Sequence, residues 1–315
     1  MKPKDFEYDM KADWCAGCGD YGILHAMEKA FIELGLSSHQ IAVFGGIGCS
    51  GKTPYYLEVN GIHTLHGRVL PFATGAKLAN PALTVIAVGG DGDGLGIGAG
   101  HFVNAGRRNL DLTYLLFNNE VYGLTKGQAA PTIHQGEKTK AMPKASIQNH
   151  LNPVMLALTS GYTWIGRGYA YYPDQLTALI QDAISHKGSA FLEILQPCPV
   201  YNDLHDKQWY EHAGTNRQPR LYALSDVAYD PLVPASADEK MRETKFAQCI
   251  QKAQEWGDRI PVGVFYQDLT VPEFTQQLEQ QTVSYYQQPP AAQALAERYH
   301  KPAVNVQSLY SKFIV

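Results

Sequence analysis

Two groups of residues in this 315-residue sequence have the types and spacing for chemistry. The first is sulfur. Cys15-Ala16-Gly17-Cys18-Gly19 is a C-x-x-C pair set in glycine, close enough for both thiolates to hold one metal centre. Cys49 stands in a Gly-rich turn after a short apolar run, and Cys198 follows another such run, just before Pro199. Four thiolates suit a structural zinc or a [4Fe–4S] cluster, and spacing alone does not choose between them. A thioredoxin-type redox pair fits less well, because Cys15 and Cys18 precede every strand of the pattern. The plainer reading of Cys49 and Cys198 is that they are small core residues, as free cysteine often is. Cys249 lies in an amphipathic segment and is expected in the core.

The second group offers oxygens and backbone amides. The apolar run 84–88 leads into Gly89-Gly90-Asp91-Gly92-Asp93-Gly94-Leu95-Gly96-Ile97-Gly98. Glycine lets a backbone approach a phosphate closely, and the N-terminus of a following helix favours an anion. The next run, 112–117, ends in Asn118-Asn119-Glu120-Val121-Tyr122-Gly123. An acid after one strand and an amide after its neighbour can reach the same hard cation. Mg²⁺ takes near-octahedral oxygen ligands and often completes them with phosphates. Asp91, the side-chain oxygen of Asn119, the carbonyl of Val121, two diphosphate oxygens and a water would make its shell. Gly90 and Asn119 stand about thirty residues apart. That spacing resembles the thiamine-diphosphate motif, which opens with Gly-Asp-Gly and closes with Asn-Asn. A lone Gly-Asp-Gly would be an ordinary tight turn.

Two further patterns compete. Gly46-Ile47-Gly48-Cys49-Ser50-Gly51-Lys52-Thr53 fits the P-loop G-x-x-x-x-G-K-[ST] after a strand, so a nucleotide-binding protein is the alternative of a different class. Pro54 and the Asn60-Gly61 turn leave room for only a stub of the helix that a P-loop requires. The run 94–99 satisfies the loose dinucleotide pattern but lacks a strand ending in a ribose-binding acid; Asp111 opens the next strand instead of closing it.

The elements that must position these residues alternate. Ile23, Met27, Phe31 and Leu34 form one apolar stripe over 22–35, with Gly35 as its stop, which predicts a helix. Short apolar runs at 41–44, 84–88, 112–117 and 190–195 predict strands, and 95–107, 174–186 and 238–256 predict helices. Buried strands alternating with helices indicate an α/β fold, a doubly wound and mostly parallel sheet covered on both faces. Ligands of such sheets sit beyond the carboxyl ends of the strands, which draws attention to the Gly clusters at 45–51 and 89–100. After Pro199 the periodicity fades, so 1–198 reads as the body and 199–315 as an extension lying on it or on a partner. Apolar residues at 45% and charged residues at 18% are ordinary for a globular enzyme. A net charge of −4 offers no basic stripe for nucleic acid. The opening MKPKDFEYDM has no apolar leader core, and no run reaches the roughly 18 apolar residues of a membrane span. A cytoplasmic protein is expected.

Taken together, WCAGCGDYGIL (14–24), GIGCSGKTPYY (46–56), HTLHGRVLPFATGAKLANP (63–81), GGDGDGLGIGAGHFVNAGRRN (89–109), NNEVYGLTKGQ (118–128) and QPCPVYN (196–202) resemble the β subunits of 2-oxoacid:ferredoxin oxidoreductases, and EWGDRIPVGVF (255–265) extends the likeness. The resemblance implies Cys15, Cys18, Cys49 and Cys198 as ligands of one [4Fe–4S] cluster. It implies Asp91, Asn119 and the Val121 carbonyl as Mg²⁺ ligands on a thiamine diphosphate. Gly48, Gly89, Gly90, Gly92, Asp93, Gly123 and Leu124 would line the cofactor, and His66 and Arg68 would touch its diphosphate or the substrate. The implied reaction is the reversible oxidative decarboxylation of a 2-oxoacid with coenzyme A, its electrons leaving singly to ferredoxin. A non-redox thiamine enzyme would not need the thiolates. The family takes its cofactor-activating carboxylate from an α (or α–γ) partner subunit; the nearby acids here, Glu58 and Glu120, carry no mark of that role. Lys52, beside Cys49, can hold the distal carboxylate of a dicarboxylic 2-oxoacid and favour 2-oxoglutarate over pyruvate. Such a contact is worth about 1.5–3 kcal/mol. The plainer reading has Lys52 facing solvent or a ferredoxin.

Overall fold

A computed structural model describes residues 10–212, 218–282 and 284–294, with Phe6 and Ser311. Most of the opening segment read for a leader, and the end of the extension beyond residue 294 apart from Ser311, lie outside the described residues. In chain order the elements are α1 (Asp20–Glu33), β1 (Ile41–Gly45), β2 (Asn60–His63), α2 (Val69–Ala79), β3 (Thr84–Gly90), α3 (Ala99–Gly106), β4 (Leu112–Asn118), β5 (Val121–Tyr122), β6 (Gln128–Ala129), α4 (Pro153–Ser160), β7 (Trp164–Tyr169), α5 (Pro173–Ser185), β8 (Ser189–Leu195), α6 (Lys207–Glu211), β9 (Leu221–Ala223), β10 (Leu232–Val233), α7 (Glu239–Ala253), β11 (Ile260–Asp268) and α8 (Phe274–Gln281). Among the described residues no helix is long and apolar enough to cross a membrane.

The main sheet runs β10-β11-β7-β8-β4-β3-β1-β2, with β9 added beside β11. All its pairings are parallel except β11 against β7. Period-two alternation splits each central strand between two cores. Ala42, Phe44, Val85, Ala87, Tyr114 and Leu116 face one apolar cluster, built with residues of α2, α3, α4 and α7. Ile41, Val43, Ile86, Val88, Leu115 and Phe117 face the other, built with residues of α1 and α5. Each side chain of this size that is removed from water contributes about 1.5–3 kcal/mol. The expected doubly covered sheet is what the chain forms.

α1 stops where the stripe ends. Gly35 adopts a positive φ of 68°, with Gly35 N–H on the Ile32 carbonyl and Leu36 N–H on that of Phe31, both at 3.0 Å. These are the paired closing bonds of a Schellman turn. The expected helix 95–107 is interrupted: residues Gly92–Ile97 form a π turn before α3 begins. Strand β7 was not expected, because its sequence WIGRGY carries two glycines and an arginine. Arg167 is nevertheless 1% exposed, its Nε donating to Glu193 of β8 at 2.7 Å. Strand β11 lies beyond residue 199 and continues the sheet past β7, while Cys249 of α7 is fully buried in the first core.

Candidate active site

Strands β1, β3, β4 and β8 are neighbours and parallel, so the turns that follow them meet along one edge. Those turns carry Cys49, Asp91, Asn119 and Cys198. Between them lies a cleft of ≈ 80 Å³ bordered by Gly48, Cys49, Ser50, His66, the 90–93 turn, Asn119, residues 121–125 and Gln196. Gly92 must be glycine because a Cβ there would sit 2.4 Å from the Tyr122 ring. Asp91 is 1% exposed, and burial pushes its carboxyl up to about 7, opposed by a 2.5 Å hydrogen bond from the Thr132 hydroxyl. A buried carboxylate held this far from its ordinary value lacks a cation, which is what a divalent ion on a diphosphate supplies. Asn119 takes the Val121 N–H on Oδ1 at 3.1 Å and donates Nδ2 to Gln196 Oε1 at 2.8 Å. Its nitrogen is thereby occupied, and Oδ1 is the atom left for a metal. The donor set fits Mg²⁺.

Asp93 behaves differently from Asp91. Its Oδ1 accepts from His66 Nδ1 at 2.6 Å, Gly67 N–H at 2.7 Å and Ile47 N–H at 3.1 Å. Oδ2 is buried without a protein partner, while Oδ1 ties the β1 turn and the 65–68 turn to the Gly-rich turn. Its hold on His66 Nδ1 leaves Nε2 of that ring available in the cleft. Arg68 is outside the cleft lining, donating to the carbonyls of Gly67 and Ile97 at 3.1 and 3.4 Å. Lys52 is outside it too. Its Nζ lies 2.8 and 3.0 Å from the Asp13 oxygens, and this contact holds the Asp13 carboxyl below its usual range. Glu58 is exposed, and Glu120 is buried against His205 Nδ1 at 2.5 Å and Asn202 Nδ2 at 3.0 Å. Neither acid borders the cleft.

The thiols approach the same cleft. Trp14 Nε1 donates to the Cys49 carbonyl at 2.8 Å, bringing the Cys15–Cys18 turn to the β1 turn. A Cβ on Gly123 would lie 3.3 Å from Cys49 Sγ, so this sulfur abuts the turn that carries Val121. Burial raises the thiols of Cys18 and Cys198 and pushes Cys49 up to about 12, and charge on the neighbouring sulfurs raises Cys18 and Cys49 further. Raised in this way the thiols stay protonated and neutral, and a metal centre supplies the positive charge that would let them bind as thiolates. A single tetrahedral zinc with bonds of about 2.3 Å would draw its sulfurs to within about 4 Å of one another. Among the described residues, the one set of three or more Cys, His or acidic ligands within 4.8 Å is Glu120, Glu137 and His205. No three of these four thiols form such a set, a wider spacing than one bound zinc would impose.

The structure also brings in residues that the sequence did not single out. Gln196 connects Asn119 with Cys18, its Nε2 donating to Cys18 Sγ at 3.2 Å. Ser50, read there only as part of a P-loop, has a buried hydroxyl without a protein partner at the cleft wall. Asp20 is 1% exposed and is pushed up to about 7 by burial, opposed only by the Cys18 thiol, and its charge raises Cys18 and Cys49. Its signal was its place in Cys-Gly-Asp. The P-loop pattern fails geometrically: residues Ser50–Tyr56 form a 3-10 turn containing Pro54, and Thr53 is fully buried with its hydroxyl on the Ser50 carbonyl.

Known proteins agree with this geometry. Residues 37–194 match the thiamine pyrophosphate enzyme C-terminal TPP-binding domain, and residues 198–283 match the C-terminal part of the pyruvate ferredoxin oxidoreductase β subunit. Over 302 residues, 94% of this chain and 95% of the relative, the chain is 49% identical to 2-oxoacid:ferredoxin oxidoreductase subunit beta of Saccharolobus solfataricus. The chain belongs to this family of β subunits. It is also 48% identical over 203 residues to 2-oxoglutarate oxidoreductase subunit KorB of Mycobacterium tuberculosis, covering 64% of this chain and 54% of that one. A solved 2-oxoglutarate:ferredoxin oxidoreductase from Magnetococcus marinus, with 2-oxoglutarate, coenzyme A and succinyl-CoA bound, superposes with a TM-score of 0.80 at 30% identity, covering 100% of this chain and 97% of that one. The protein is thus a subunit of an oxidoreductase with a thiamine-diphosphate domain, and it works with partner subunits. The cleft fits that state. At ≈ 80 Å³ it is smaller than the roughly 300 Å³ or more that encloses a cofactor-sized ligand. Leu65, Phe72, Ile97 and Leu124 stand 66%, 47%, 56% and 51% exposed on this side of the chain.

Proposed function

We propose that this β subunit, assembled with an α (or α–γ) partner, oxidatively decarboxylates a 2-oxoacid in the presence of coenzyme A. One 2-oxoacid anion, one coenzyme A and two oxidised ferredoxins give acyl-CoA, CO₂, one proton and two reduced ferredoxins, and the reaction is reversible. 2-Oxoglutarate is the preferred substrate over pyruvate. Thiamine diphosphate, when bound, supplies the decarboxylation chemistry. Asp91, the Asn119 side chain and the Val121 carbonyl hold Mg²⁺ on its diphosphate, with the glycine amides of 89–92 and the Ser50 hydroxyl facing the phosphates. His66, oriented by Asp93, presents Nε2 to the reacting end. Cys15, Cys18, Cys49 and Cys198 hold a [4Fe–4S] cluster that accepts electrons one at a time. The partner supplies the activating carboxylate, a reading supported by the commitment of Glu120 to His205 and the exposure of Glu58.

The observation that carries this reading is the contact between the two sites. Cys49 borders the cleft and lies against Gly123, so a cluster held by this thiolate would adjoin the cleft and could take electrons released there. The five cysteines are all free, which suits a reducing, cytoplasmic setting. The test is anaerobic purification of the complete α/β complex, with iron, sulfide, magnesium and thiamine content and ferredoxin reduction on 2-oxoglutarate and pyruvate. Cluster and cofactor in equal amounts with coenzyme A-dependent ferredoxin reduction are expected. Zinc in place of iron, or decarboxylation without ferredoxin reduction, would return the non-redox thiamine enzyme to favour.

A further inference from the structure

Gln196 is the first residue after β8 and is 1% exposed. Every hydrogen-bonding group of its side chain is spoken for. Nε2 donates to Cys18 Sγ at 3.2 Å and to the Pro197 carbonyl at 3.0 Å, and Oε1 accepts from Asn119 Nδ2 at 2.8 Å. Its backbone N–H is fixed on the Asn118 carbonyl at 2.8 Å. A rotated amide would point its oxygen at a sulfur and a carbonyl and its nitrogen at another N–H, so one orientation is imposed. Gln196 Oε1 and the Val121 N–H fix Asn119 in turn, whose nitrogen is turned to Gln196 and whose side chain borders the cleft.

We propose that Gln196 is a positioning residue that couples the metal–diphosphate site to the sulfur cluster. The inference rests on the cofactor and cluster assignments of the proposed function. An N–H donated to a ligating thiolate withdraws charge from it, stabilises the reduced cluster and raises its potential. A cation on Asn119 Oδ1 polarises that amide, strengthens its N–H on Gln196 Oε1, and through the conjugated amide strengthens Gln196 N–H on Cys18. Cofactor binding therefore makes the cluster easier to reduce, and by linkage cluster reduction tightens the cofactor. The acceptor is tuned when the donor is in place.

The experiment is an EPR-monitored redox titration of the α/β complex, with and without Mg²⁺ and thiamine diphosphate, for wild type, Gln196→Leu and Gln196→Glu. Wild type is expected to show a higher midpoint potential with cofactor than without. Gln196→Leu removes both contacts, so its potential falls, the cofactor-dependent shift disappears, and cofactor Kd rises about three- to tenfold, the equivalent of one lost neutral hydrogen bond. Gln196→Glu keeps an acceptor for Asn119 and loses the donor to sulfur; its potential falls further while cofactor Kd stays within about threefold of wild type. Unchanged potentials in both variants, with full iron content, overturn the coupling. If the variants do not assemble a cluster, pulsed EPR of reduced wild type carrying amide-¹⁵N glutamine decides: a nitrogen coupling at the cluster supports the contact, and its absence overturns it. A wild type lacking cluster or thiamine diphosphate overturns the underlying function as well, and is recognised by composition before any potential is read.

Discussion

The two edges of the central sheet treat buried polar groups differently. At the amino edge the chain satisfies the Asn109 amide internally, and leaves the nearby His186 Nδ1 buried without a partner. Asn109, just before β4, accepts from the Thr163 hydroxyl at 2.7 Å and from Ser189 N–H at 2.8 Å, and donates to the Pro272 carbonyl at 3.2 Å. That one side chain joins the start of three neighbouring strands to the segment before α8. At the carboxyl edge the same sheet leaves groups short. Ser50 and Asp93 each keep a buried oxygen without a protein partner, the buried Asp20 carboxyl has only the Cys18 thiol to ease it, and burial raises Asp91 and the thiols of Cys18 and Cys49. Since an unsatisfied buried polar group costs about 1–3 kcal/mol, an edge that tolerates several is organised around something the chain itself does not contain. The amino edge is where this sheet is stabilised; the carboxyl edge is where it works.

The strongest way to break that contrast is to remove a charge from each of the two centres on the carboxyl edge. Asp91→Ala takes away the full negative charge of the metal shell, and Mg²⁺-dependent thiamine diphosphate binding is expected to weaken at least about a hundredfold by calorimetry, since losing one member of a buried ion pair costs about 3–5 kcal/mol. Its cluster spectrum should persist. Cys198→Ala is the mirror image. Iron content and the reduced-cluster EPR signal should collapse while cofactor content is kept, and Cys249→Ser, in the core, should retain both. A normal cluster in Cys198→Ala would remove that residue from the ligand set. Joint loss of cluster and cofactor in either site variant would mean that the two centres form one cooperative unit.

The amino edge makes a prediction of stability alone. His186 donates or accepts at Nε2 with the Thr163 hydroxyl at 2.7 Å, while its Nδ1 is buried without a partner. Burial lowers its pKa from 6.5 to about 4. Above pH 6.5 the ring is neutral both folded and unfolded, and the shift has no effect. Between 6.5 and 4 the unfolded chain takes up a proton that the folded chain refuses, so stability falls as pH falls. The loss is at most about 3 kcal/mol, from the size of the shift. Denaturant unfolding of the subunit from pH 7 to 4 should show this slope, and His186→Gln should flatten it without changing cofactor affinity. An unaltered slope in the variant would assign the acid sensitivity to carboxylates instead.

How much of this was legible depends on how locally each feature is encoded. Strands β1, β3, β4 and β8 are unbroken apolar runs and were read within a few residues. β7 was hidden because Gly166, Arg167 and Gly168 spoil its pattern, and only the Glu193 carboxylate on the adjoining strand makes a buried arginine tolerable. Asp91 and Asn119, the proposed metal ligands, were legible because both follow neighbouring strands at a fixed spacing. Asp93 shared the same Gly-rich turn and looked equivalent to Asp91, yet three donors from distant turns give it a structural task that no spacing encodes. Gln196 was invisible for the same reason: its partners, Cys18 and Asn119, stand far from it and from each other in the sequence.

Lys52 gives the smallest effect and the finest test of the carboxyl edge. The chain holds its ammonium on Asp13, which also accepts from the Tyr56 hydroxyl at 2.5 Å, and the pair is partly open to water. An exposed pair of this kind contributes about 0–1 kcal/mol. A second carboxylate delivered by a dicarboxylic substrate can therefore compete for the same ammonium with little to overcome. If it does, Lys52→Met should lower kcat/KM for 2-oxoglutarate about tenfold, near the lower bound of a charge-assisted contact. Pyruvate, which has no second carboxylate, should be affected about twofold or less. Asp13→Asn separates the alternatives. It frees the ammonium while keeping the geometry, so the preference for 2-oxoglutarate should rise if Lys52 reads the substrate, and stay level if Lys52 only anchors the Trp14 turn to the Cys49 turn. Equal losses on both substrates in Lys52→Met, with a weakened cluster signal, would place Lys52 among the residues that build the edge and not among those that read the substrate.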